Sequence, residues 1–230
     1  INVISTKKNN AVITTGTGSG KTEVYMHLIE EVVKRGKTAI MLVPEITLSM
    51  QIVDNFYNRF GDRVSIMNSR LSQGEKYDQY LRAKNGDIDI MIGPRSALFT
   101  PFSNLGLIII DEEHSDSYKQ SDSNPRYNAK DVALIRSKYH NAKVLFGSAT
   151  PSLEVMARAE KGVYHLLKLD KRVNGKELPE IKIIDMNNKM KRIVGHFSMP
   201  LIDEINNLGD DIWECVKDGI VSIIQTDIDD

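Results

Sequence analysis

A glycine-rich segment that directly follows an apolar segment is the feature that most constrains the fold of this chain. Residues 15–22 read Thr-Gly-Thr-Gly-Ser-Gly-Lys-Thr, and the apolar residues Ala11, Val12 and Ile13 precede them. A glycine-rich turn between a strand and a helix points backbone N–H groups at phosphate oxygens, and the helix adds the positive end of its dipole. The segment therefore predicts a strand, a loop that holds a nucleoside triphosphate, and a helix in succession.

The last two residues of this loop carry its chemistry. Lys21 is expected to reach the β- and γ-phosphates, and the Thr22 hydroxyl is expected to bind Mg²⁺. The strict pattern has glycine where this chain has Thr15, and Gly16 beside it supplies the backbone freedom. A polar loop with an incidental lysine is the alternative. The residues predicted to bind the nucleotide are Gly16, Thr17, Gly18, Ser19, Gly20, Lys21 and Thr22.

The composition is typical of a soluble globular protein of one domain or slightly more. The chain has 230 residues, of which 41% are hydrophobic and 27% are charged. No apolar run is long enough for a membrane-spanning helix, and Lys7 and Lys8 interrupt any apolar leader. The single cysteine, Cys215, excludes a multi-cysteine zinc site within these residues, so no zinc is expected. These observations favour a cytoplasmic location.

Charge is distributed unevenly along the chain. The net charge is −1, but residues 209–230 contain seven acidic side chains and one basic side chain, a balance of −6. The other residues therefore carry the difference, +5. A mildly basic body is compatible with contact to nucleic acid but does not require it.

Short apolar runs alternate with amphipathic segments over the first two thirds of the chain. Strands are predicted at residues 11–15, 38–43, 64–67, 88–93, 107–111 and 143–147, with a further candidate at 164–169. Helices are predicted at residues 21–35, 48–60, 73–84 and 129–140. Runs rich in Val and Ile without alternation indicate strands buried on both faces, so we predict an α/β doubly wound parallel sheet with helices on both faces.

An acidic turn at the end of a predicted strand is the second strong signal. The apolar run that begins at Leu107 ends in Asp111, Glu112, Glu113 and His114. A carboxylate at the sheet edge can hold Mg²⁺, and the adjacent Glu112 can polarise an attacking water. An acidic turn with no catalytic role is the alternative, but phosphoryl transfer needs both a phosphate-binding loop and a metal-binding carboxylate, and this chain has both.

Together these motifs resemble the motor of a superfamily-2 helicase. Residues 42–51 resemble its motif Ia, residues 93–97 its motif Ib, residues 111–114 its motif II and residues 147–152 its motif III. The resemblance implies a RecA-like P-loop NTPase fold, with ATP and Mg²⁺ as cofactors. It also implies a cytoplasmic hydrolase that acts on DNA.

A narrower resemblance covers roughly residues 11–207. Residues 17–25, 42–46, 95–102, 111–114, 117–120, 125–127 and 147–154 are similar to the family of bacterial replication-restart DNA helicases, the primosomal protein N′ family. This resemblance implies ATP-dependent unwinding in the 3′–5′ direction in the full-length parent. It implies branched forks and single strands of DNA as partners, together with primosome proteins and single-stranded-DNA-binding protein.

The family resemblance also implies roles for individual residues. Lys21, Asp111 and Glu112 would act in catalysis, and His114 would sense the nucleotide state. Thr22 and Asp111 would hold Mg²⁺. DNA contact or its coupling to hydrolysis would involve Pro44, Glu45, Arg95, Ser96, Tyr118, Lys119, Gln120, Arg126, Tyr127, Ser148 and Thr150. Within this set, tyrosines can stack on bases and cations can neutralise phosphates, although residues 118–127 also fit a solvated polar turn.

The predicted organisation is one motor lobe followed by less regular sequence. We assign residues 1–160 to the first helicase lobe, 161–208 to a connector toward a second lobe, and 209–230 to an acidic tail. No second-lobe motif follows residue 153, so the isolated chain is expected to hydrolyse ATP weakly or not at all. Two alternatives stay open: another superfamily-2 translocase of the restriction or fork-reversal type, and a non-catalytic domain that docks DNA or a partner.

Overall fold

Nine strands lie among the described residues of the first part of the chain. They are β1 (Asn10–Thr15), β2 (Thr38–Leu42), β3 (Val64–Ile66), β4 (Ile90–Gly93), β5 (Leu105–Asp111), β6 (Lys119–Gln120), β7 (Tyr127–Asn128), β8 (Lys143–Ser148) and β9 (His165–Leu169). Seven of them form one sheet in the order β3-β4-β2-β5-β8-β1-β9, and every neighbouring pair is parallel. The other two, β6 and β7, form a separate antiparallel pair.

The structure is a computed structural model that describes residues 9–15, 20–121, 124–169, 192–194 and 197–198. The chain divides into two compact units, Ile1–Gly175 and Lys176–Asp230. The described part of the second unit is one antiparallel pair, β10 (Arg192–Val194) with β11 (Phe197–Ser198). Among the described residues, no helix combines the length and the apolar character that a membrane span requires.

Within the described part of the chain, five α-helices cover the two faces of the sheet. They are α1 (Lys21–Lys34), α2 (Met50–Phe60), α3 (Gln73–Asn85), α4 (Ala129–His140) and α5 (Leu153–Glu160). Side chains of α1 and α2 pack with one set of strand residues, which includes Ile13 and Ile109. Side chains of α3, α4 and α5 pack with the alternate set, which includes Val12 and Ile108. Consecutive strand residues thus enter opposite apolar layers, as the uninterrupted apolar runs require.

Local signals fix where several helices begin. Ser72 starts α3 with a capping box, in which its side chain accepts from Glu75 N and the Glu75 carboxylate accepts from Ser72 N. Asn128 starts α4 through its side-chain oxygen, which accepts from Lys130 N at 3.0 Å. Because Asn128 also ends β7, the strand pair leads directly into α4.

The predicted fold class and the predicted elements in residues 10–148 are confirmed, with ends shifted by at most two residues. The candidate strand at 164–169 is β9, which joins the sheet beside β1. The sheet therefore continues past residue 160, where the first lobe was predicted to end, and the first unit extends to Gly175. Helix α5 was not predicted. The assignments of 161–208 and 209–230 fall mostly outside the described residues and stay predictions.

The topology brings the carboxyl ends of five strands to one edge of the sheet. Parallel pairing sets Asp111 beside Gly147, Thr14 beside Ser148 and Leu42 beside Gly93. Segments that are far apart in sequence therefore meet where β1, β2, β4, β5 and β8 end. This edge is where ligands bind in open α/β sheets.

Candidate functional site

The glycine-rich loop ends at a left-handed residue that starts α1. Gly20 has φ +82° and ψ +27°, a conformation that glycine adopts without steric cost, and its carbonyl accepts from Val24 N at 3.2 Å. Lys21 and Thr22 follow in the first turn of α1, both half-buried. Gly16, Thr17, Gly18 and Ser19 lie outside the described residues, and for Thr15 only the backbone is described. The predicted contacts of these residues with a nucleotide therefore stay predictions.

Lys21 is brought against the acidic turn at the end of β5. Its Nζ lies 2.6 Å from Glu112 Oε1, across 91 residues of sequence, and both side chains are partly buried. This ion pair joins the predicted phosphate-binding lysine to the predicted catalytic carboxylate. An ammonium group at the start of a helix, where the dipole is positive, suits an anionic ligand.

Asp111 is held from two sides by tyrosines. Tyr25 from α1 donates to Asp111 Oδ1 at 2.8 Å, and Tyr118 donates to the backbone carbonyl of Asp111 and, at 3.2 Å, to that of Leu42. Burial raises the pKa of the Asp111 carboxyl, while the Tyr25 hydrogen bond and the charge of Lys21 lower this pKa. Burial beside these carboxylates also raises the pKa of Tyr25 and of Tyr118, so both hydroxyls stay protonated donors.

Gly147 leaves the space that the Tyr25 hydroxyl fills. A Cβ at position 147 would overlap Tyr25 Oη and lie 2.8 Å from Tyr25 Cζ and 3.4 Å from Asp111 Oδ1. No side chain fits there while Tyr25 binds Asp111. The glycine of the predicted motif III is therefore required by the packing of α1 against the end of β5.

The acidic turn separates its two glutamates into different environments. Glu112 has φ +46°, in the left-handed region, and this turn directs Glu113 inward. Glu113 is 0% exposed, and its N–H donates to Gly147 O at 3.1 Å. Its carboxylate accepts from Ser152 N, from Ser152 Oγ at 3.0 Å and from Lys130 Nζ at 3.1 Å. Glu113 thus ties the turn to the start of α5 and to α4.

His114 provides a second connection between the turn and the end of β8. Its Nδ1 lies 2.8 Å from Ser148 Oγ and 3.6 Å from Glu112 Oε2. Ser148 is buried, and its Oγ also accepts from Thr150 N at 3.0 Å. The histidine ring therefore stands between the predicted catalytic base and the segment predicted to couple hydrolysis to lobe movement.

Arg95 forms hydrogen bonds with residues 117–119, which follow the acidic turn. Its guanidinium donates to the carbonyls of Ser117 and Lys119, both at 3.0 Å. These carbonyls flank Tyr118, whose side chain is only 1% exposed. The Tyr118 ring is therefore buried rather than open for stacking, and its hydroxyl holds the ends of β2 and β5. Its predicted role in DNA contact or in coupling to hydrolysis stays a prediction. Arg95, predicted to act in DNA contact or in its coupling to hydrolysis, binds backbone carbonyls in this structure.

The strand pair β6–β7 carries the remaining predicted contacts. Lys119 and Arg126 are exposed, Tyr127 is half-buried, and Gln120 donates to Pro125 O at 3.1 Å. The pair sets Gln120 opposite Tyr127. At the neighbouring strand ends, the Glu45 carboxylate accepts from Ser69 N at 2.8 Å. Hydrogen bonds with the Ser69 side chain and then with its backbone lower the pKa of Glu45. Pro44 precedes a short 3₁₀ helix, and Ser96 is exposed.

The donor set is suited to Mg²⁺ bound together with phosphate rather than alone. Among the described residues, no group of three or more His, Cys, Asp or Glu side chains is arranged to hold a metal. Mg²⁺ in nucleotide sites is commonly held by one or two carboxylates, water and phosphate oxygens. Asp111 with Thr22 fits that pattern, since they belong to the two segments that the Lys21–Glu112 ion pair joins.

The model of the DEAD/DEAH box helicase family matches residues 1–159. The match includes the phosphate-binding segment and the Asp111–His114 turn and reaches into α5. The chain belongs to the DEAD/DEAH box helicase family.

Curated relatives resemble most of the chain. The replication restart protein PriA of Bacillus subtilis (strain 168) is 50% identical over 196 residues, which are 85% of this chain and 24% of that protein. PriA of Rickettsia felis is 42% identical over 208 residues, or 90% of this chain and 32% of that protein. The chain thus spans about a quarter to a third of the length of these relatives. A structure of RecG bound to a three-way DNA junction matches 93% of this chain and 26% of its own, with 21% identity and a TM-score of 0.61, which shows the fold.

Sequence reasoning missed four residues around the acidic turn, of which Tyr25 and Glu113 are buried and Lys130 and Ser152 are half-buried. Tyr25, Glu113, Lys130 and Ser152 received no role from the pattern, yet they fix the acidic turn on three sides. Their polar side chains lie in helices or turns that suggest a solvated surface. Only an inward turn at Glu112 makes Glu113 a buried partner, and that backbone conformation has no clear sequence signal.

Proposed function

We propose that this chain is the ATP-binding first motor lobe of a DNA helicase that restarts stalled replication forks. The observation that carries the proposal is the convergence of Lys21, Asp111 and Glu112 at one sheet edge. The similarity to replication restart proteins supports the particular process. In the longer protein, this lobe would couple ATP hydrolysis to DNA unwinding.

The geometry supports a division of labour among the three charged residues. Lys21 would bind the terminal phosphates, and Asp111 with Thr22 would hold Mg²⁺, which neutralises phosphate charge. Glu112 would orient and deprotonate the attacking water, because its carboxylate is half-buried at the carboxyl end of β5 beside Lys21. His114 would relay changes at Glu112 to Ser148 and Thr150.

The proposal predicts nucleotide binding that depends on the Lys21 ammonium. Isothermal titration calorimetry with Mg-ADP and the 230-residue chain should give an affinity about tenfold or more weaker for Lys21→Ala, because a charged hydrogen bond contributes about 1.5–3 kcal/mol. Lys34→Ala is the matched control, since Lys34 lies at the other end of α1 and pairs with Glu30. Equal affinity for wild type and Lys21→Ala would contradict a working phosphate site.

The isolated chain should hydrolyse ATP poorly. Helicases of this class place the nucleotide between two lobes, and an arginine supplied from outside the lobe contributes about 10³–10⁵ in rate. Robust DNA-stimulated turnover by these 230 residues alone would argue against the assignment as a first lobe.

DNA is the proposed partner, with branched forks and single strands as substrates. Exposed Lys119 and Arg126 support contact with phosphates, which contribute affinity without sequence specificity. The same proposal includes unwinding in the 3′–5′ direction, contact with primosome proteins and single-stranded-DNA-binding protein, and a cytoplasmic location.

A fork-reversal or restriction-type translocase is the second candidate, favoured by the fold shared with the RecG structure. Unwinding assays of the longer protein on restart forks and on fork-reversal substrates distinguish the two.

A further inference from the structure

Phe99 presents an aromatic ring to solvent at the end of a well-packed segment. The 3₁₀ helix Arg95–Phe99 buries Ala97 and Leu98, and Phe102 is buried three residues later, yet Phe99 is 55% exposed. A single exposed apolar side chain is ordinary on a protein surface. The surroundings of this ring set it apart from an ordinary surface residue.

The backbone on both sides of Phe99 is fixed by one arginine. Arg136 from α4 donates to the carbonyls of Leu98 and Thr100, the residues directly before and after Phe99. Burial lowers the pKa of Arg136, which indicates that its guanidinium is drawn out of water to make these contacts. The backbone that carries the exposed ring is thus fixed before any ligand binds. A ligand that stacks on this ring therefore loses little binding free energy to ordering the protein.

A second ring supports the first. Phe99 and Tyr127 contact edge to face, with centroids 5.3 Å apart and planes at 80°. Tyr127 belongs to β7, and Arg95 forms a hydrogen bond with its side chain. The same Arg95 binds the carbonyls that flank Tyr118, whose hydroxyl holds the backbone of Asp111. A short chain of contacts therefore joins the aromatic pair to the carboxylate turn.

Three cations lie on or beside the strand pair that carries Tyr127. Lys119 on β6 and Arg126, just before β7, are exposed, and Arg95 binds the Lys119 carbonyl and the Tyr127 side chain. Aromatic rings set among cations are the features with which proteins bind single-stranded nucleic acid, because bases stack on the rings and cations neutralise the phosphates. This charge favours a nucleic acid over an apolar protein partner.

We propose that Phe99, supported by Tyr127, is a stacking platform for one unpaired base of single-stranded DNA. The inference rests on the proposed function, since it assumes that the lobe binds DNA. It assigns base stacking to a residue outside the segment for which stacking was predicted. Tyr118, which lies within that segment, has a buried, positioning role instead.

Fluorescence anisotropy with a labelled oligothymidylate of about 15 nucleotides tests the platform on the 230-residue chain at low salt. Phe99→Leu should weaken binding about fivefold or more, the lower end of the effect of removing one stacked base, and Phe99→Trp should preserve it. Tyr139→Leu is the matched control, because Tyr139 is 86% exposed near the end of α4. An abasic backbone of the same length should bind wild type and Phe99→Leu equally.

The outcomes separate the platform from the proposed function. Absence of oligothymidylate binding by the wild-type chain would overturn both. Wild-type binding that Phe99→Leu leaves unchanged would overturn the platform alone and would point to a protein partner for this ring. Equal weakening on oligothymidylate and on the abasic backbone would also overturn it, since stacking requires a base. Circular dichroism melting of each variant checks that the fold is intact.

Discussion

The acidic turn at residues 111–114 and the strand pair β6–β7 are only a few residues apart, yet they use polar side chains in opposite ways. In the turn, Glu113 is buried with three hydrogen bonds and Asp111 is bound by Tyr25. In and beside the strand pair, Lys119 on β6 and Arg126 just before β7 are exposed. The difference indicates that the turn is built for fixed geometry, while the strand pair leaves its charges available to a ligand.

The largest effect is expected from removal of the buried acid. Glu113→Ala should lower the free energy of unfolding by about 3–5 kcal/mol, because it leaves Lys130 and Ser152 without their partner. Urea denaturation measures this loss. Glu112→Ala is the control in the same turn and should cost about 1 kcal/mol or less, since its ion pair is partly exposed. Equal losses for the two variants would remove the distinction between the two glutamates.

The close packing of Tyr25 and Asp111 against Gly147 is expected to give the next largest effect. Gly147→Ala should cost about 1–3 kcal/mol, because the added methyl group displaces Tyr25 from Asp111. The double variant with Tyr25→Phe should lose less than the sum of the single changes, since the overlapping hydroxyl is gone. Gly74→Ala in α3 is the control, because only Ser72 Oγ lies within 4.0 Å of the added Cβ. An unchanged melting temperature for Gly147→Ala would contradict this prediction, because it would show that the turn accommodates the methyl group without loss of stability.

Tyr118 and Tyr127, which lie after the acidic turn, test the difference between a buried and a half-buried tyrosine. Tyr118→Phe should cost about 1–2 kcal/mol, because two buried carbonyls lose their donor. Tyr127→Phe should cost about 0.5 kcal/mol or less, because Tyr127 is only half-buried. Urea denaturation of wild type and both variants measures these losses in the free energy of unfolding. A larger loss at Tyr127 than at Tyr118 would reverse the assignment of inward and outward roles.

The smallest effect is expected from Glu30, a half-buried acid on α1 that accepts hydrogen bonds from two cations. Glu30 accepts from Lys34 and Arg59, and these hydrogen bonds lower the pKa of Glu30 to about 2 from 4.5. Because this pKa is lower in the folded chain, the stabilisation is present above pH 4.5 and is lost as the pH falls toward 2. The stability difference between wild type and Glu30→Gln should shrink over that window in pH-dependent melting. A constant difference would contradict the linkage.

Much of the fold was predictable because its signals are local. Apolar runs in β2 and β5 and the capping box of α3 identify these elements without reference to the rest of the chain. Helix α5 was missed because it is short and begins in a segment with weak periodicity. Strand β9 was predicted only as a candidate strand, and its place beside β1 depends on pairing between segments about 150 residues apart.

The candidate site was predictable in part for the same reason. Lys21, Asp111 and Glu112 stand out because a glycine-rich loop and an acidic turn after an apolar strand have few other uses. The burial of Tyr118 was not predictable, because an aromatic residue among polar ones suggests exposure. Its burial follows from two carbonyls that only the assembled sheet brings together, those of Leu42 and Asp111.

By itself, the sequence determined the alternation of strands and helices, the phosphate-binding segment and the identity of the acidic turn. These depend on residue type and spacing along a single segment, which local chemistry fixes. Only the tertiary structure decided that Glu113 is buried while Glu112 faces Lys21, that Gly147 makes room for Tyr25, and that the Phe99 ring is exposed. Burial and hydrogen bonding depend on which distant segments the parallel sheet places side by side.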